Sequence, residues 1–153
     1  MSEATAWLLS FPGDFLAAIG ERDMLHFVDT PRLEEIPQSP LHCRHALLWE
    51  GELLPALDLT AWLTEQPTPS ERVSVGIVGW QERPGAIPQY GALIFSGAPQ
   101  KIRVADDHAC NLPESPTAWR AVAASCFRYD DQPVPILDLP RLFSGAILAD
   151  PGL

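Results

Sequence analysis

The sequence predicts a mainly β protein made of two small barrels packed together. Sixteen prolines and ten glycines are spread through the 153 residues, and such frequent interruptions favour short strands joined by turns over long helices. A strand-turn-strand-helix pattern also occurs twice, which indicates two similar subdomains. Apolar or alternating runs are typical of core or half-buried strands, and they predict strands over residues 7–11, 15–19, 46–50, 53–57, 73–80, 90–95, 101–104, 121–129 and 134–137.

Three short segments predict tight turns between neighbouring strands. Residues 12–14 (Pro-Gly-Asp) predict a hairpin between the first two strands, because proline and glycine supply the backbone angles that a tight turn needs. Residues 50–52 (Glu-Gly-Glu) and 130–132 (Asp-Asp-Gln) predict two later hairpins. Residues 21–29 fit a helical turn as well as a strand.

Composition limits the function classes that the chain can belong to. A hydrophobic content of 46% is enough for one good core or two small adjoining ones, and we expect one domain over residues 1–153. The formal net charge of -10 opposes binding to nucleic acid and to anionic lipid surfaces. No apolar run approaches the ~20 residues that span a bilayer. We therefore expect a cytoplasmic protein without direct membrane insertion.

Residues that could bind metal or carry redox chemistry are few. The three cysteines, Cys43, Cys110 and Cys126, form no CxxC pair, so we interpret them as free thiols in a reducing compartment. Residues 42–45 (His-Cys-Arg-His) contain three potential ligands, but no second cluster completes a four-ligand site. Residues 106–108 (Asp-Asp-His) lack the ligand pattern of a calcium loop. We interpret both as loops and expect no metal or cofactor.

The internal repeat is the most informative feature of the sequence. Residues 48–63 align with residues 128–143, which lie 80 positions later in the chain. Both copies read as a strand, an acidic turn, a second strand containing a proline, and Asp-Leu at the start of a short helix. The matching pairs are Pro55 with Pro135, Leu57 with Leu137, Asp58 with Asp138, Leu59 with Leu139, and Leu63 with Phe143.

The residue types that the two copies share have structural explanations. Pro55 and Pro135 each remove a ladder hydrogen-bond donor, which predicts a strand edge or a bend. Asp58 and Asp138 each precede an apolar pattern, where a carboxylate accepts a hydrogen bond from an amide in the first helical turn. Pro140 is tolerated at a helix start because its missing N–H would have no partner there. A sheet of about five short strands protects its edges best by curling into a barrel.

These motifs resemble the CheW-like domain family of bacterial chemotaxis. The G-x-L-x-P-x-x-D-L stretch at residues 51–59 resembles the family's most recognisable motif, and V-P-I-L-D-L at 134–139 resembles its C-terminal copy. The apolar strand at 73–80 and the glycine-led strand at 91–95 match two core strands of the family. Residues 36–40 (Ile-Pro-Gln-Ser-Pro) resemble its approach to the first motif. The resemblance extends over residues 7–143.

This resemblance implies a fold, a role and a class of partner. The fold is two five-stranded SH3-like barrels with a short helix after each P-x-x-D-L motif, without catalysis or cofactor. The role is an adaptor that joins the cytoplasmic tips of chemoreceptors to the regulatory domain of the histidine kinase CheA. The self-associating structural module is an alternative interpretation, in which exposed barrel edges pair with another copy.

One position departs from the family pattern and suggests a binding site. The family has a basic residue before the motif glycine, whereas here Glu50 precedes Gly51. Reversing this charge changes which partner surface is attracted, and it fits a divergent accessory member, such as those of pilus-linked systems for twitching motility. We predict a protein-binding surface at Trp49, Glu50, Gly51 and Trp80, because tryptophan is enriched at tight interfaces. The alternative for either tryptophan is packing in the core.

An enzyme is the least favoured interpretation. Asp58 and Asp138 form a repeated pair of carboxylates, and paired carboxylates serve as acid and base in hydrolases when their environments separate their pKa values. Helix capping already accounts for both residues. The sequence also lacks the phosphate-binding glycine motifs and the G-x-S-x-G elbow.

Overall fold

The computed structural model describes residues 3–68, 72–144 and 147. Within these residues the chain forms ten strands and three short helices. The strands are β1 (Glu3–Phe11), β2 (Phe15–Gly20), β3 (Met24–Val28), β4 (Leu33–Glu35), β5 (His45–Trp49), β6 (Glu52–Asp58), β7 (Ser74–Trp80), β8 (Gln89–Ala105), β9 (Ala123–Tyr129) and β10 (Gln132–Leu137); the helices are α1 (Leu59–Thr64), α2 (Trp119–Val122) and α3 (Leu139–Leu142).

The strands divide into two subdomains that share one long strand. The first subdomain has the order β4-β5-β6-β8-β7-β3, and the second has the order β8-β1-β2-β10-β9. In the second subdomain, Ala109, which follows β8 in the chain, forms an isolated β-bridge with Phe127 of β9. The sheet therefore curls back on itself. The first subdomain has six strands where five were expected, because the three-residue strand β4 adds to its edge.

Strand β8 corrects the prediction of separate strands at 90–95 and 101–104. It is one strand of 17 residues, and its two halves have different neighbours. Residues 89–95 pair with β7, whereas residues 100–105 pair with β1. Gly97 and Pro99 interrupt the sequence pattern between the halves. The backbone nevertheless continues from one sheet into the other.

Other boundaries also differ from the prediction. Both interpretations of residues 21–29 apply in part, since a short 3-10 helix at Glu21–Asp23 leads into β3. Residues 121 and 122 end helix α2, so the strand predicted from 121 begins at Ala123. Strand β4 was not predicted. With three residues it is too short to show a periodic pattern.

The internal repeat is a structural repeat with the same strand register in both copies. The hairpin of the first copy, formed by β5 and β6, is called the first hairpin, and that of the second copy, formed by β9 and β10, the second hairpin. Trp49 pairs with Glu52 in the first hairpin, and Tyr129 pairs with Gln132 in the second. Each predicted turn therefore has two residues at its tip. The φ angles are 47° and 82° at residues 50 and 51, and 48° and 61° at residues 130 and 131. Positive values at both positions are typical of the type I′ turns that suit the twist of a hairpin.

The prolines of the motif lie where each strand is locally an edge. Pro55 pairs with Ala46 on one side, and the parallel pairing of β6 with β8 on the other side begins one residue later, at Ala56. The same holds in the second copy, where β10 meets β2 at Ile136. A proline costs no ladder hydrogen bond at such a position. Strands β6 and β10 are interior strands of the sheet, so the edge at each proline is a local one.

The buried side chains form three clusters. One fills the first subdomain around Leu47, Val75 and Ile77, and one fills the second around Leu8, Phe127 and Val134. The third and largest lies between the subdomains and takes residues from both copies of the motif: Leu57, Leu59, Leu63, Leu137, Leu139, Leu142 and Phe143. The motif therefore joins the two subdomains through its short helices.

Gly91 allows the second motif to pack against β8. A Cβ atom at this position would lie 2.5 Å from Cε1 of Phe143. The Phe143 ring also stacks on Trp80, with 4.6 Å between ring centroids and 15° between planes. Close packing between the subdomains thus requires the smallest residue at position 91.

We expect Gly91→Ala to lower the free energy of unfolding by about 1–3 kcal/mol, because the added methyl group overfills the shared core. Urea denaturation followed by tryptophan fluorescence measures the change. Phe143→Leu is the second arm of a double-mutant cycle, since a smaller side chain relieves the clash. If the losses in the free energy of unfolding of the two single variants simply add in the double variant, this explanation is wrong.

Candidate protein-binding site

Three of the predicted binding residues lie together at the tip of the first hairpin. Trp49 ends β5 and is half-buried against the first subdomain's core, while Glu50 and Gly51 form the exposed turn. Apart from its two chain neighbours, none of the described residues has an atom within 4 Å of the place where a Cβ atom of Gly51 would be. Its role is therefore to allow the turn's positive φ, not close packing.

A cavity of about 240 Å³ lies beside this hairpin. Trp49 and His26 form part of its wall, with 5.0 Å between their ring centroids. Glu50 and Glu52 also line it. The hairpin therefore combines an aromatic surface with two negative charges in one concave site.

The outer face of the same hairpin is apolar. Leu48 and Leu53 pair across β5 and β6 and are 43% and 63% exposed. The equivalent pair in the second hairpin is Arg128 and Pro133, which are also exposed. Two leucines next to an acidic turn thus distinguish the first copy from the second. No sequence argument had selected them, since leucine in a strand reads as core.

Trp80, the fourth predicted residue, lies on the other face of β7. Its ring packs in the shared core against Phe143, whereas Ile77 of the same strand lines the cavity beside Trp49. The structure therefore does not bring Trp80 together with the hairpin tip. Trp62 is likewise a packing residue, and its indole N–H donates to the carbonyl oxygen of Ala118 at 3.2 Å.

Asp58 and Asp138 both cap helices, as the sequence predicts. The Oδ1 atom of Asp58 accepts a hydrogen bond from the Ala61 N–H at 3.1 Å, and Oδ1 of Asp138 accepts one from the Arg141 N–H at 3.3 Å. Asp138 Oδ2 also lies 3.5 Å from Nε of Arg141. Each carboxylate is thus engaged at its own helix start.

His42 has a structural role that the sequence did not reveal. It was expected in a surface or half-buried loop, but it is only 2% exposed and lies in a short 3-10 helix. Its Nε2 atom lies 2.6 Å from the carbonyl oxygen of Ile147, and its ring packs edge-on against Trp62. Because a carbonyl only accepts, Nε2 carries the proton. The buried contact ties residue 147 to the first subdomain.

The other sequence candidates for metal binding remain simple turns. Asp106–His108 forms an exposed 3-10 helix. In the part of the chain that the structure describes, no group of three His, Cys, Asp or Glu side chains could hold a metal ion. Among the same residues, no helix has the length and apolar character to cross a membrane.

Comparison with known proteins identifies the family. A model of the CheW-like domain matches residues 18–146. The chain belongs to the CheW-like domain family. Its fold is similar to the crystal structure of the scaffolding protein TtCheW from Thermoanaerobacter tengcongensis, with a TM-score of 0.74 and 19% sequence identity over 94% of this chain and 90% of that one. No curated protein matches the sequence.

Membership in the CheW-like family agrees with the geometry of the motifs. The mainly β arrangement of two SH3-like subdomains is the CheW fold. Proteins of this family are scaffolds without catalytic activity, and this CheW-like chain is a non-catalytic adaptor. Asp58 and Asp138 are therefore structural residues, and the hydrolase interpretation is discarded.

A capping role predicts different results for two substitutions of the same residue. Asp58→Ala is expected to lower the free energy of unfolding by about 1 kcal/mol, whereas Asp58→Asn keeps an oxygen acceptor and costs much less. The same pair of substitutions at Asp138 provides the matched comparison in the second copy. Thermal denaturation measures all four variants. Equal losses for the alanine and asparagine variants would show that the negative charge, not the cap, is what matters.

Proposed function

We propose that this CheW-like chain works as one domain, over residues 1–153, that couples chemosensory proteins in the cytoplasm. Its partners are the regulatory domain of a CheA-type histidine kinase and the cytoplasmic tip of a chemoreceptor, or the corresponding components of a pilus-linked system for twitching motility. The observation that carries the proposal is the first hairpin, which joins an exposed apolar pair to an acidic tip within a family of scaffolds.

The exposed leucines supply the apolar part of the contact surface. Leu48 and Leu53 lie side by side, and a protein interface commonly places such residues at its centre with polar groups around them. Glu50 and Glu52 at the end of the hairpin provide the polar edge. A partner surface that is apolar in the middle and basic at one side would be complementary to this arrangement.

The acidic tip determines which partner surfaces are accepted. Glu50 occupies the position where the family resemblance implies a basic residue, so attraction is directed towards positive partner surfaces. The chain's net charge of -10 has the same sign. This inversion supports a partner that differs from that of a standard chemotaxis adaptor, as expected for an accessory member.

An adaptor of this kind regulates a kinase without chemistry of its own. It shifts the equilibrium between two array states only as far as its affinities for those states differ. The two subdomains offer separate surfaces that share one core, so a partner on each would be held at a defined distance and orientation.

Self-association is the second candidate, and it rests on the edges of the first subdomain. In the described residues, β4 pairs with β5 alone and β3 pairs with β7 alone. Free edges of this kind can pair with another chain. Sedimentation across a concentration series separates the two candidates, because a monomer at every concentration excludes this one.

Charge reversal at the hairpin tip tests the adaptor. Glu50→Arg is expected to weaken binding to the regulatory domain or the receptor tip about tenfold or more, because like charges then face each other. Asp130→Arg is the matched control: it makes the same type of charge change at the equivalent turn position, with φ of 48° against 47°. Titration calorimetry with each purified partner measures affinity, and both variants should unfold within ~0.5 kcal/mol of the wild type.

The wild-type titrations decide the proposal first. Micromolar or tighter binding to at least one of these partners supports it, and absence of binding to all of them overturns it. Equal losses of affinity in the Glu50 and Asp130 variants would reject the first hairpin as the contact surface, even if the protein binds.

A further inference from the structure

We propose that the cavity beside the first hairpin binds an arginine side chain of the protein partner. The inference deepens the proposed function and rests on it, because it names the chemical group that the adaptor recognises. Three features of the cavity support it: its volume, the aromatic rings in its wall and the two glutamates that line it.

The cavity has the size and lining that a guanidinium group requires. Its volume of about 240 Å³ leaves room for a side chain of several heavy atoms. Buried side chains of Leu54 and Ile77 form an apolar floor. Such a floor suits the methylene stem of a long basic side chain, which stays in apolar contact while its charged end remains polar.

Aromatic rings stand around this floor. Trp49, Tyr90 and His26 all line the cavity, and Trp49 is half-buried, so its ring position is restrained by the core beneath it. Cations are attracted to the faces of aromatic rings, most strongly to tryptophan, and arginine takes part more often than lysine. The wall therefore favours a flat cationic group over a neutral one.

Two carboxylates at the cavity have no positive partner. Among the residues that the structure describes, neither Glu50 nor Glu52 forms an ion pair, and no lysine or arginine lines the cavity. A guanidinium group offers five N–H donors in a plane, which matches carboxylate acceptors near an aromatic face. An incoming arginine would satisfy both features at once.

The second hairpin has an arginine of its own beside its acidic turn. The site beside it is lined by Asp107, Asp130 and Asp131 together with Arg128. At the position equivalent to Arg128 the first hairpin has Leu48. The second copy therefore contains its own guanidinium group beside its acidic turn, whereas the equivalent residue of the first copy is an apolar side chain on the outer face of the hairpin, and the cavity has no arginine in its lining.

Titration with a short peptide tests the site. The probe is the capped pentapeptide Ala-Ala-Arg-Ala-Ala, and its control replaces arginine with citrulline, which has nearly the same shape but no charge. Proton–nitrogen correlation spectra follow the indole N–H signals of the five tryptophans, and the Trp49→Phe variant identifies the signal of Trp49. We expect the arginine peptide to shift the Trp49 signal in a saturable way and the citrulline peptide to leave it unchanged.

Variants locate the binding and separate the charges from the rings. The double variant Glu50→Gln with Glu52→Gln should lower the affinity for the arginine peptide about tenfold, because it removes the charge-assisted hydrogen bonds. Asp130→Asn with Asp131→Asn, in the second hairpin, should have no effect. His26→Ala removes one ring of the cavity wall and leaves both glutamates in place, so it should also weaken binding of the arginine peptide.

The result that overturns the site is independent of the proposed function. If the Trp49 signal does not shift, or shifts equally with citrulline, the arginine site is rejected even when the wild-type protein binds the kinase domain or receptor tip. If the peptide binds as expected but no protein partner does, the site stands and the proposed partners are rejected.

A separate observation in the second subdomain supports another site. We infer that Cys110 and Cys126 form a disulfide bond when the protein meets a disulfide oxidant. Their sulfur atoms lie 3.3 Å apart, and the Cys110 N–H donates to the Cys126 carbonyl oxygen at 3.0 Å. Bond formation requires the sulfurs to approach to about 2.05 Å, a small movement for two side chains on hydrogen-bonded backbones.

The reaction assigns different roles to the two thiols. Cys110 is partly exposed, whereas Cys126 is buried in β9, and desolvation raises the pKa of Cys126 to about 12. Because Cys110 is the more exposed member of the pair, its thiolate attacks one sulfur of oxidised glutathione and releases one glutathione thiolate. Cys126 then loses its proton and attacks the Cys110 sulfur, releasing the second. The pair gives up two protons and two electrons, which convert the oxidant to two reduced glutathiones.

Mass spectrometry after oxidation of the native protein tests this site. We expect a loss of two hydrogens, one peptide pair linking Cys110 to Cys126, one thiol left for alkylation at Cys43, and a rise in Tm of roughly 5 °C or more. Cys43→Ser should oxidise like the wild type, and Cys110→Ser should form no internal disulfide. Three free thiols after oxidation, or a disulfide that includes Cys43, would overturn the inference.

Discussion

The core shared by the two subdomains holds the molecule together. Neither copy of the motif buries its helix inside its own barrel; both direct leucines into the space between the barrels. Phe143 of the second copy reaches β8 only because residue 91 is glycine. Burial of this apolar surface fixes the relative position of the subdomains, and with it the distance between any two surfaces that partners contact.

The internal repeat explains why the two hairpins share a backbone structure while their outward-facing residues differ. The copies have the same register, the same kind of turn and the same capped helix start. Their inward residues are similar because they fill similar cores, and their outward residues differ because solvent does not constrain them. Leu48 and Leu53 in one copy, against Arg128 and Pro133 in the other, show where an interface could evolve without disturbing the fold.

The absence of catalysis in the family is consistent with the structural role of the two repeated carboxylates. Asp58 and Asp138 satisfy backbone amides at helix starts, and the remaining acidic residues of the hairpins are exposed at turns. Surface charge of this kind selects partners and orients them more than it stabilises the fold. In the proposed function, exchange of an exposed turn residue such as Glu50 changes the partner specificity and leaves the fold intact.

The mainly β class, the repeat, its turns and its two helix caps were predictable from the sequence, because they depend on neighbouring residues and on a pattern that recurs 80 positions later. Three features became visible only in the folded chain: residues 90–95 and 101–104 belong to one strand, His42 is buried, and Trp80 faces the shared core while Trp49 lines a cavity. Each of these depends on which distant strand lies alongside. A residue's type records that it is apolar or able to hydrogen-bond, but not which of several apolar surfaces will cover it.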